Sequence, residues 1–336
     1  MNTDTKENVL SAALGERWKK YRAQIKTCKN EFSEEAVHDL RVATRRLLAA
    51  MDVVRSLEPH PRVQKVRRAL KDQLDSLDDL RDTQVMLVEV SESMADFPEL
   101  KPLEEHLLKR EKKLLRKARK EIESLAISGL RKRIENSAGS LEKNLQGEDW
   151  TARLLSVGDQ AYARARQAFG EIDAAAPASI HQFRIAFRKF RYTVEIVHPI
   201  LENYPEEYLQ QMHDYQSRMG DIQDVTVFLS ILLEYVEETD SSSLLAPVRD
   251  TFENRHTELI AKFMDAKDEL HRFWRETPDS KYPWEKDHER VHHSTRNRRG
   301  TGDARVRRRQ PAPVDRQGEK ENGKDLPGPE KPGSGN

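Results

Sequence analysis

The feature that most constrains this chain is an internal duplication. The segment AVHDLRVATRRLLAAMDVV, beginning at Ala36, matches SIHQFRIAFRKFRYTVEIV, beginning at Ser179. Further along, LDDLRDTQVMLVEV from Leu77 matches MGDIQDVTVFLSIL from Met219, with one residue less between the copies. A repeat of roughly 140 residues is much longer than the repeat of a solenoid protein. The chain therefore holds two copies of one unit, each long enough to form a small bundle.

Both copies carry helical patterns and no strand pattern. Proline residues cluster at Pro59 and Pro61, Pro98 and Pro102, Pro177, Pro199 and Pro205, and Pro247. We interpret these clusters as breaks between helices. Hydrophobic residues make up 36% of the chain and charged residues 35%, which is typical of long amphipathic helices with wide polar faces. We predict an all-α fold.

The predicted folded domain covers residues 1–275. Within it, the first copy spans about 8–140 and the second about 150–272. Residues 276–336 have few aliphatic side chains and are rich in Pro, Gly and charge, so we predict a disordered, Arg-rich tail. The twenty positions from Arg290 onwards carry eight arginines and one acidic residue. A solvated tail is the simpler interpretation, and an accessory contact with a polyanion is the functional one.

Charge and cysteine content exclude some classes of protein. The chain has 58 Lys and Arg against 58 Asp and Glu, and this zero net charge weighs against a simple nucleic-acid binder. Cys28 is the single cysteine, which excludes a disulfide framework and a cysteine-based zinc site. The first residues lack the pattern of a signal peptide, and no apolar run has the length of a membrane span. We expect a cytoplasmic protein without membrane contact.

A histidine begins a basic helix face in each copy. At about 100° per residue, Arg41 and Arg45 fall beside His38, opposite the apolar residues. In the second copy the same face carries His181, Arg184, Arg188, Arg191 and Tyr192. Neither face contains an acidic residue, although like charges four residues apart repel each other. We predict that an external anion supplies the counter-charge, and the predominance of arginine favours bidentate contact with phosphate.

Helical spacing predicts two further basic rows. One row consists of His106, Lys109, Lys113, Arg116 and Lys120. These residues share a narrow sector of a helix and form a positive surface about 21 Å long. The other row consists of Arg62, Lys65, Arg68 and Lys71, for which a solvated face is an equally good interpretation.

Two patterns invite a metal or catalytic interpretation. His38 and His181 lie beside arginines and not beside a second metal ligand, which disfavours a bound cation. The repeated aspartates are Asp79, Asp82, Asp221 and Asp224. They have the chemistry of a Mg²⁺ site, but we prefer a plainer role at a helix start or in orienting basic side chains. No P-loop or dinucleotide-binding motif is present, and we predict no metal or cofactor.

The paired motifs resemble a known family. VHDLRVATRRL with LDDLRD, and IHQFRIAFRKFRY with MGDIQD, are similar to the two motif copies of the conserved histidine α-helical domain, CHAD, over about residues 8–272. The resemblance implies two tandem four-helix bundles related by pseudo-two-fold symmetry, and a central basic groove that binds inorganic polyphosphate. It implies a groove lined by His38, Arg41, Arg45, Arg46, His181, Arg184, Arg188, Lys189 and Arg191. We add Tyr192, Lys65, Arg68 and the row from Lys109 to Lys120.

The resulting prediction is a non-enzymatic protein that binds inorganic polyphosphate, with other polyanions as further candidates and polyphosphate granules as a location. Many family members also carry a triphosphate tunnel metalloenzyme domain, and nothing here resembles its strands. Alternatives are a nucleic-acid binder that uses the same basic faces, a Mg²⁺-dependent phosphohydrolase that uses the repeated aspartates, and a scaffold for an acidic protein. The first copy has Leu47, Leu48 and Ala49 where the second has Phe190, Arg191 and Tyr192, so we expect the first copy to contribute less to the groove.

Overall fold

The computed structural model describes residues 9–125, 127–144, 150–239 and 241–285. Within these ranges the chain forms ten α-helices and no strand, which confirms the predicted all-α fold. The first copy forms α1 (Val9–Asn30), α2 (Glu34–Leu57), α3 (Pro61–Asp75), α4 (Asp78–Ser93), α5 (Lys101–Ser124) and α6 (Ile127–Asn144). The second forms α7 (Trp150–Gly170), α8 (Pro177–Val197), α9 (Glu207–Thr239) and α10 (Ser242–Ala266). No helix in the described ranges is long and apolar enough to cross a membrane.

Local sequence fixes the starts of α2 and α8, the helices that carry the duplicated motif. The Ser33 hydroxyl accepts a hydrogen bond from the backbone N–H of Ala36 at 3.2 Å. Glu34 and Glu35 occupy the first turn of α2, where the helix dipole favours negative charge. Pro177 occupies the first position of α8, which needs no backbone N–H donor. Each motif helix therefore begins at a residue suited to a helix N-terminus.

The larger hydrophobic core is shared by the two copies. Helices α1 and α2 pack against each other, as do α7 and α8, and α2 also contacts α7 and α8. Tyr21 and Leu47 from the first copy are fully buried in the same cluster as Phe183, Phe187 and Tyr215 from the second. The motif phenylalanines are therefore core residues, as their position opposite the basic face predicts. We call this cluster the central core.

A smaller core also joins the two copies. Met86 and Leu103, from α4 and α5, are buried against Phe228, Val248 and Phe252, from α9 and α10. The rings of Phe228 and Phe252 stack with their centroids 3.9 Å apart. We call this cluster the distal core. The hairpins α4–α5 and α9–α10 therefore bury their apolar faces against each other.

The folded domain extends beyond the predicted boundary at residue 275. Tyr282 and Trp284 are buried, and their rings stack with centroids 4.5 Å apart. The indole N–H of Trp284 donates a hydrogen bond to the backbone carbonyl of Glu202 at 3.2 Å. The predicted tail is therefore wrong for residues 276–285, because aromatic side chains supply the burial that the missing aliphatic residues do not. The rest of the predicted tail, 286–336, lies outside the described residues.

We expect Trp284→Ala to lower the free energy of unfolding by about 3 kcal/mol, because it removes a buried indole and its hydrogen bond. Urea denaturation of the full chain measures this change. Leu244→Ala is the matched control, since Leu244 is 57% exposed and its truncation should cost less than about 0.5 kcal/mol. Equal effects of the two substitutions would contradict the placement of Trp284 in the core.

Candidate functional site

A groove of about 680 Å³ runs along the polar sides of the two motif helices. Helices α2, α3 and α4 of the first copy and α8 and α9 of the second all contribute to its lining. The predicted residues that line it are His38, Arg41, Arg45, His181, Arg184, Arg188, Lys189 and Tyr192. The structure therefore brings together the equivalent basic faces of both copies.

Arg46 and Arg191, although in the motif, do not line the groove. Both approach the carboxylate of Glu195 in a separate cavity. The reason is their pairing with Glu195, which lies one turn beyond Arg191 on α8 and lines the separate cavity. Their assignment to the groove is corrected on these grounds.

Apart from Lys71, the two rows predicted from helical spacing lie outside the groove. Lys65 and Arg68 are exposed outside the groove, and the residues of α3 that line it include Arg67 and Lys71. The row on α5 comprises Lys109, Lys113, Arg116 and Lys120, all exposed and outside the groove. Helix α5 packs against α4 and α1, so its basic side is turned to solvent. The helical period correctly predicts which side of α5 is basic. It does not show whether that side faces the groove or the solvent.

Most groove arginines of the first copy have carboxylate partners. Arg41 is buried, forms a salt bridge with Asp78 at 2.7 Å, and donates a hydrogen bond to the carbonyl of Leu74 at 3.3 Å. Arg67 donates from Nε to Asp52 at 2.6 Å. Arg81 pairs with Glu34 at 3.3 Å, and Lys71 pairs with Asp75 at 3.4 Å. The expectation that the basic faces lack internal counter-charge is therefore wrong for Arg41, because its partner Asp78 comes from another helix.

Three groove arginines have no such partner. Arg45, Arg184 and Arg188 form no salt bridge and donate no side-chain hydrogen bond within the described residues, and the Nε of Arg184 is buried. We call these three residues the arginine cluster. Among the described lining residues, eight Lys and Arg face five Asp, so the groove has a formal excess of three positive charges.

The duplication explains why Arg184 is unpaired. Arg184 is the counterpart of Arg41, and the counterpart of Asp78 is Gly220. In the first copy the arginine binds its aspartate, whereas in the second no carboxylate is present at that position. A Cβ placed on Gly220 would lie 3.5 Å from the Nη2 of Arg184, which shows how closely the guanidinium approaches α9 there. One replaced residue thus leaves a positive charge open to an external anion.

Burial and mutual repulsion make the arginine cluster unfavourable without a ligand. Burial, together with the charges of Arg41 and Arg188, lowers the pKa of Arg45 to about 10. Burial and the neighbouring Arg184 also lower the pKa of Arg188. Burial lowers the pKa of Arg184, and Asp224 opposes the shift. The three groups remain charged at neutral pH, so a bound anion would relieve their repulsion.

Both motif histidines favour their neutral form. Burial lowers the pKa of His38, with a further contribution from Arg81. Burial also lowers the pKa of His181, Arg184 and Arg188 act in the same direction, and a hydrogen bond with Gln223 opposes them. The Nδ1 atom of His181 is buried without a hydrogen-bond partner among the described residues.

The family model of the CHAD domain matches residues 12–233, a range that includes both motif helices and the whole arginine cluster. The chain belongs to the CHAD domain family. Among solved structures, the crystal structure of the CHAD domain from the plant Ricinus communis matches with a TM-score of 0.57 and 17% sequence identity, over 80% of this chain and 90% of that one. At this identity the likeness supports the fold alone. No curated protein matches the chain.

The repeated aspartates of this CHAD domain do not occupy equivalent structural positions. Asp79 lies in the first turn of α4, where the helix dipole favours a carboxylate. Asp221 and Asp224 lie inside the unbroken helix α9, so the expected helix start exists in the first copy only. Asp82 and Asp224 line the groove, and burial raises the pKa of both. Among the described residues, no three His, Cys, Asp or Glu side chains come together in a group that could hold a metal ion.

Some residues of the groove were missed from the sequence. Arg67, Arg81 and Gln223 line it without having been proposed, and Gly220 shapes it. Arg81 lies inside the quoted motif LDDLRD, and the repeat alignment pairs it with Gln223. A position-by-position comparison of the two copies pairs Arg81 with Gln223 and Asp78 with Gly220. In each pair an uncharged residue replaces a charged one, so both differences are visible in the sequence.

We expect the His38→Gln/His181→Gln variant to have a flatter pH profile of stability than the wild-type CHAD domain. A histidine whose pKa is lowered by folding stabilises the native state fully only above its unfolded pKa, and this contribution is lost as the pH falls towards the folded pKa. Wild-type stability should therefore decline more steeply between about pH 7 and about pH 5. Thermal unfolding across this range measures both profiles, and identical slopes would contradict the assigned pKa shifts.

Proposed function

We propose that this CHAD domain binds inorganic polyphosphate in the groove, without catalysing a reaction. The observation that carries the proposal is the arginine cluster, whose members form no salt bridge within the described residues and in which Arg188 repels both Arg45 and Arg184. Guanidinium groups bind phosphate oxygens in pairs of parallel hydrogen bonds. A chain of linked phosphates would therefore supply the acceptors and the negative charge that the cluster lacks.

The shape and extent of the groove favour a linear polyanion. The cluster draws on α2 and α8, and paired basic residues such as Arg67, Lys71 and Arg81 extend the lining along α3 and α4. A polyphosphate chain can contact several of these sites at once, so long chains should bind more tightly than short ones. Much of the free energy would come from charge, so affinity should fall as salt is added.

The groove lining could bind the phosphates of a nucleic acid, but it has few groups that could bind the bases. Tyr192 is the single Phe, Trp or Tyr side chain among the described residues of the groove, and it is 7% exposed. Proteins that hold single strands usually stack bases on exposed aromatic rings. Polyphosphate has no bases and needs no such surface, which supports it over RNA or DNA.

The positions of the aspartates support a binding protein over a phosphohydrolase. Burial raises the pKa of Asp82 and of Asp224, and nearby arginines, Arg41 for Asp82 and Arg184 for Asp224, oppose this rise. A divalent cation at these carboxylates would meet neighbouring positive charge. We further propose that the protein acts in the cytoplasm and that binding of long chains would hold it at polyphosphate granules.

Arg45→Ala/Arg188→Ala should lower the affinity for polyphosphate of about a hundred units by roughly a hundredfold, because two charge-assisted contacts are lost. Calorimetric titration measures the change, and circular dichroism checks that the variant folds. Lys113→Ala/Arg116→Ala on α5 removes the same charge outside the groove and should change affinity by less than about threefold. An unchanged affinity in the groove variant, or an equal loss in the control, would overturn the groove assignment.

Two added measurements separate the alternatives. Duplex DNA or RNA at equal phosphate concentration should leave bound polyphosphate in place, and displacement would favour a nucleic-acid binder. Incubation with Mg²⁺ should release no inorganic phosphate. Release that is lost in Asp82→Asn/Asp224→Asn would establish the hydrolase instead.

Gly220→Asp should weaken polyphosphate binding by about tenfold, because it gives Arg184 the carboxylate that Asp78 gives Arg41. Gly220→Ala is the control, since it brings the same Cβ without a charge and should bind like the wild type. The double-mutant cycle of Gly220→Asp with Arg184→Met should show a favourable coupling of about 1 kcal/mol in the unliganded protein. Equal binding by the two glycine variants would contradict a role for Arg184 as an open anion contact.

A further inference from the structure

A second cavity, of about 370 Å³, shares no lining residue with the groove. It receives Arg17 from α1, Arg46 from α2, and Arg191 and Glu195 from α8. Arg46 and Arg191 are the two motif residues that the groove does not use. We call this the Glu195 cavity, and its role is independent of polyphosphate binding in the groove.

One carboxylate in this cavity faces three guanidinium groups. Arg191 contacts Oε1 of Glu195 at 3.1 Å, and its Nε donates a second hydrogen bond to Oε1 of Gln216 at 3.0 Å. Arg46 approaches Oε2 of Glu195 only to 3.5 Å and Arg17 only to 3.8 Å. Glu195 therefore satisfies Arg191 and leaves the charges of the other two arginines largely uncompensated.

The unsatisfied donors of Arg17 and Arg46 are buried. The Arg17 side chain is 10% exposed, and its Nε has no hydrogen-bond partner among the described residues. The Nε of Arg46 is likewise buried without a hydrogen bond among the described residues, and it approaches Oε2 of Glu195 only to 3.5 Å. The nearby Glu16 cannot compensate them fully, since it already pairs with Lys20 at 2.7 Å. Buried charged donors without acceptors are costly, so an oxygen ligand here would be stabilising.

We propose that the Glu195 cavity binds a compact oxyanion that carries a proton, such as inorganic phosphate. Arg17 and Arg46 would donate hydrogen bonds to the ionised oxygens. The Glu195 carboxylate repels a fully ionised anion but accepts a hydrogen bond from a P–OH group. Internal units of a polyphosphate chain have no hydroxyl, so the cavity selects free phosphate over the ligand of the groove.

The first experiment is a calorimetric titration of the full chain with inorganic phosphate. Arg46→Gln should lower the affinity about tenfold, because it removes one charge-assisted donor from a side chain that is 40% exposed and can be replaced without unfolding. Arg116→Gln on α5 is the matched control, because it removes one exposed charge outside both the groove and the Glu195 cavity, and it should change affinity by less than about twofold. Unchanged affinity in Arg46→Gln, an equal loss in Arg116→Gln, or no phosphate binding by the wild type would overturn the proposal.

The second experiment compares phosphate with sulfate, which carries no proton at neutral pH. Wild-type protein should bind phosphate at least about tenfold more tightly than sulfate, and Glu195→Gln should reduce this preference. Should Glu195→Gln fail to fold, because Arg191 loses its partner, the wild-type comparison still decides. Equal affinity for the two anions would show that Glu195 does not accept a hydrogen bond from the protonated anion, and it would overturn the proposed selectivity.

Discussion

The contact between α2 and α8 is the constraint on which the groove depends. Each helix buries an apolar face in the central core, where Leu47 and Phe187 are fully buried. That packing fixes both basic faces on the same groove and brings Arg45 close enough to Arg188 for their charges to repel. The repulsion opposes folding, and burial of the large aromatic side chains of α8 offsets it. The charged site thus exists because the hydrophobic contact is strong enough to hold it together.

Duplication has given the two copies different roles in the groove. The first copy supplies most of the paired charges, such as Arg41 with Asp78. The second supplies Arg184, Arg188 and Lys189, which have no salt-bridge partner in the part of the chain that the structure describes. We expected a smaller contribution from the first copy. It supplies many lining residues, but most of its positive charges have partners within the protein. A difference of a few side chains between the copies, above all Asp78 against Gly220, therefore separates structural arginines from open ones.

The sequence predicts what depends on neighbours along one helix. Apolar periodicity identifies the buried face of α8, and the motif identifies His181, Arg184 and Arg188 as members of its polar face. It could not show that Glu195 lies near Arg17, because those side chains meet only after α1 packs on α8.

Contacts between distant segments account for the other differences. The sequence after residue 275 has the composition of a disordered tail. Its aromatic residues are buried because they pack against α9 and the loop before it. The basic row on α5 has the correct periodicity, but which surface a helix side meets is set by tertiary packing. These contacts depend on segments that are far apart in the sequence, so no short stretch of sequence predicts them.

The shared cores set a limit on the order of folding. The first copy leaves the ribosome with the apolar residues Met86 and Leu103 of its α4–α5 hairpin, whose partners Phe228 and Phe252 are synthesised more than a hundred residues later. Until α9 and α10 emerge, that apolar surface stays in contact with water or with a chaperone. The two copies are therefore repeats in sequence, but the distal core can be completed only once the second copy has been translated.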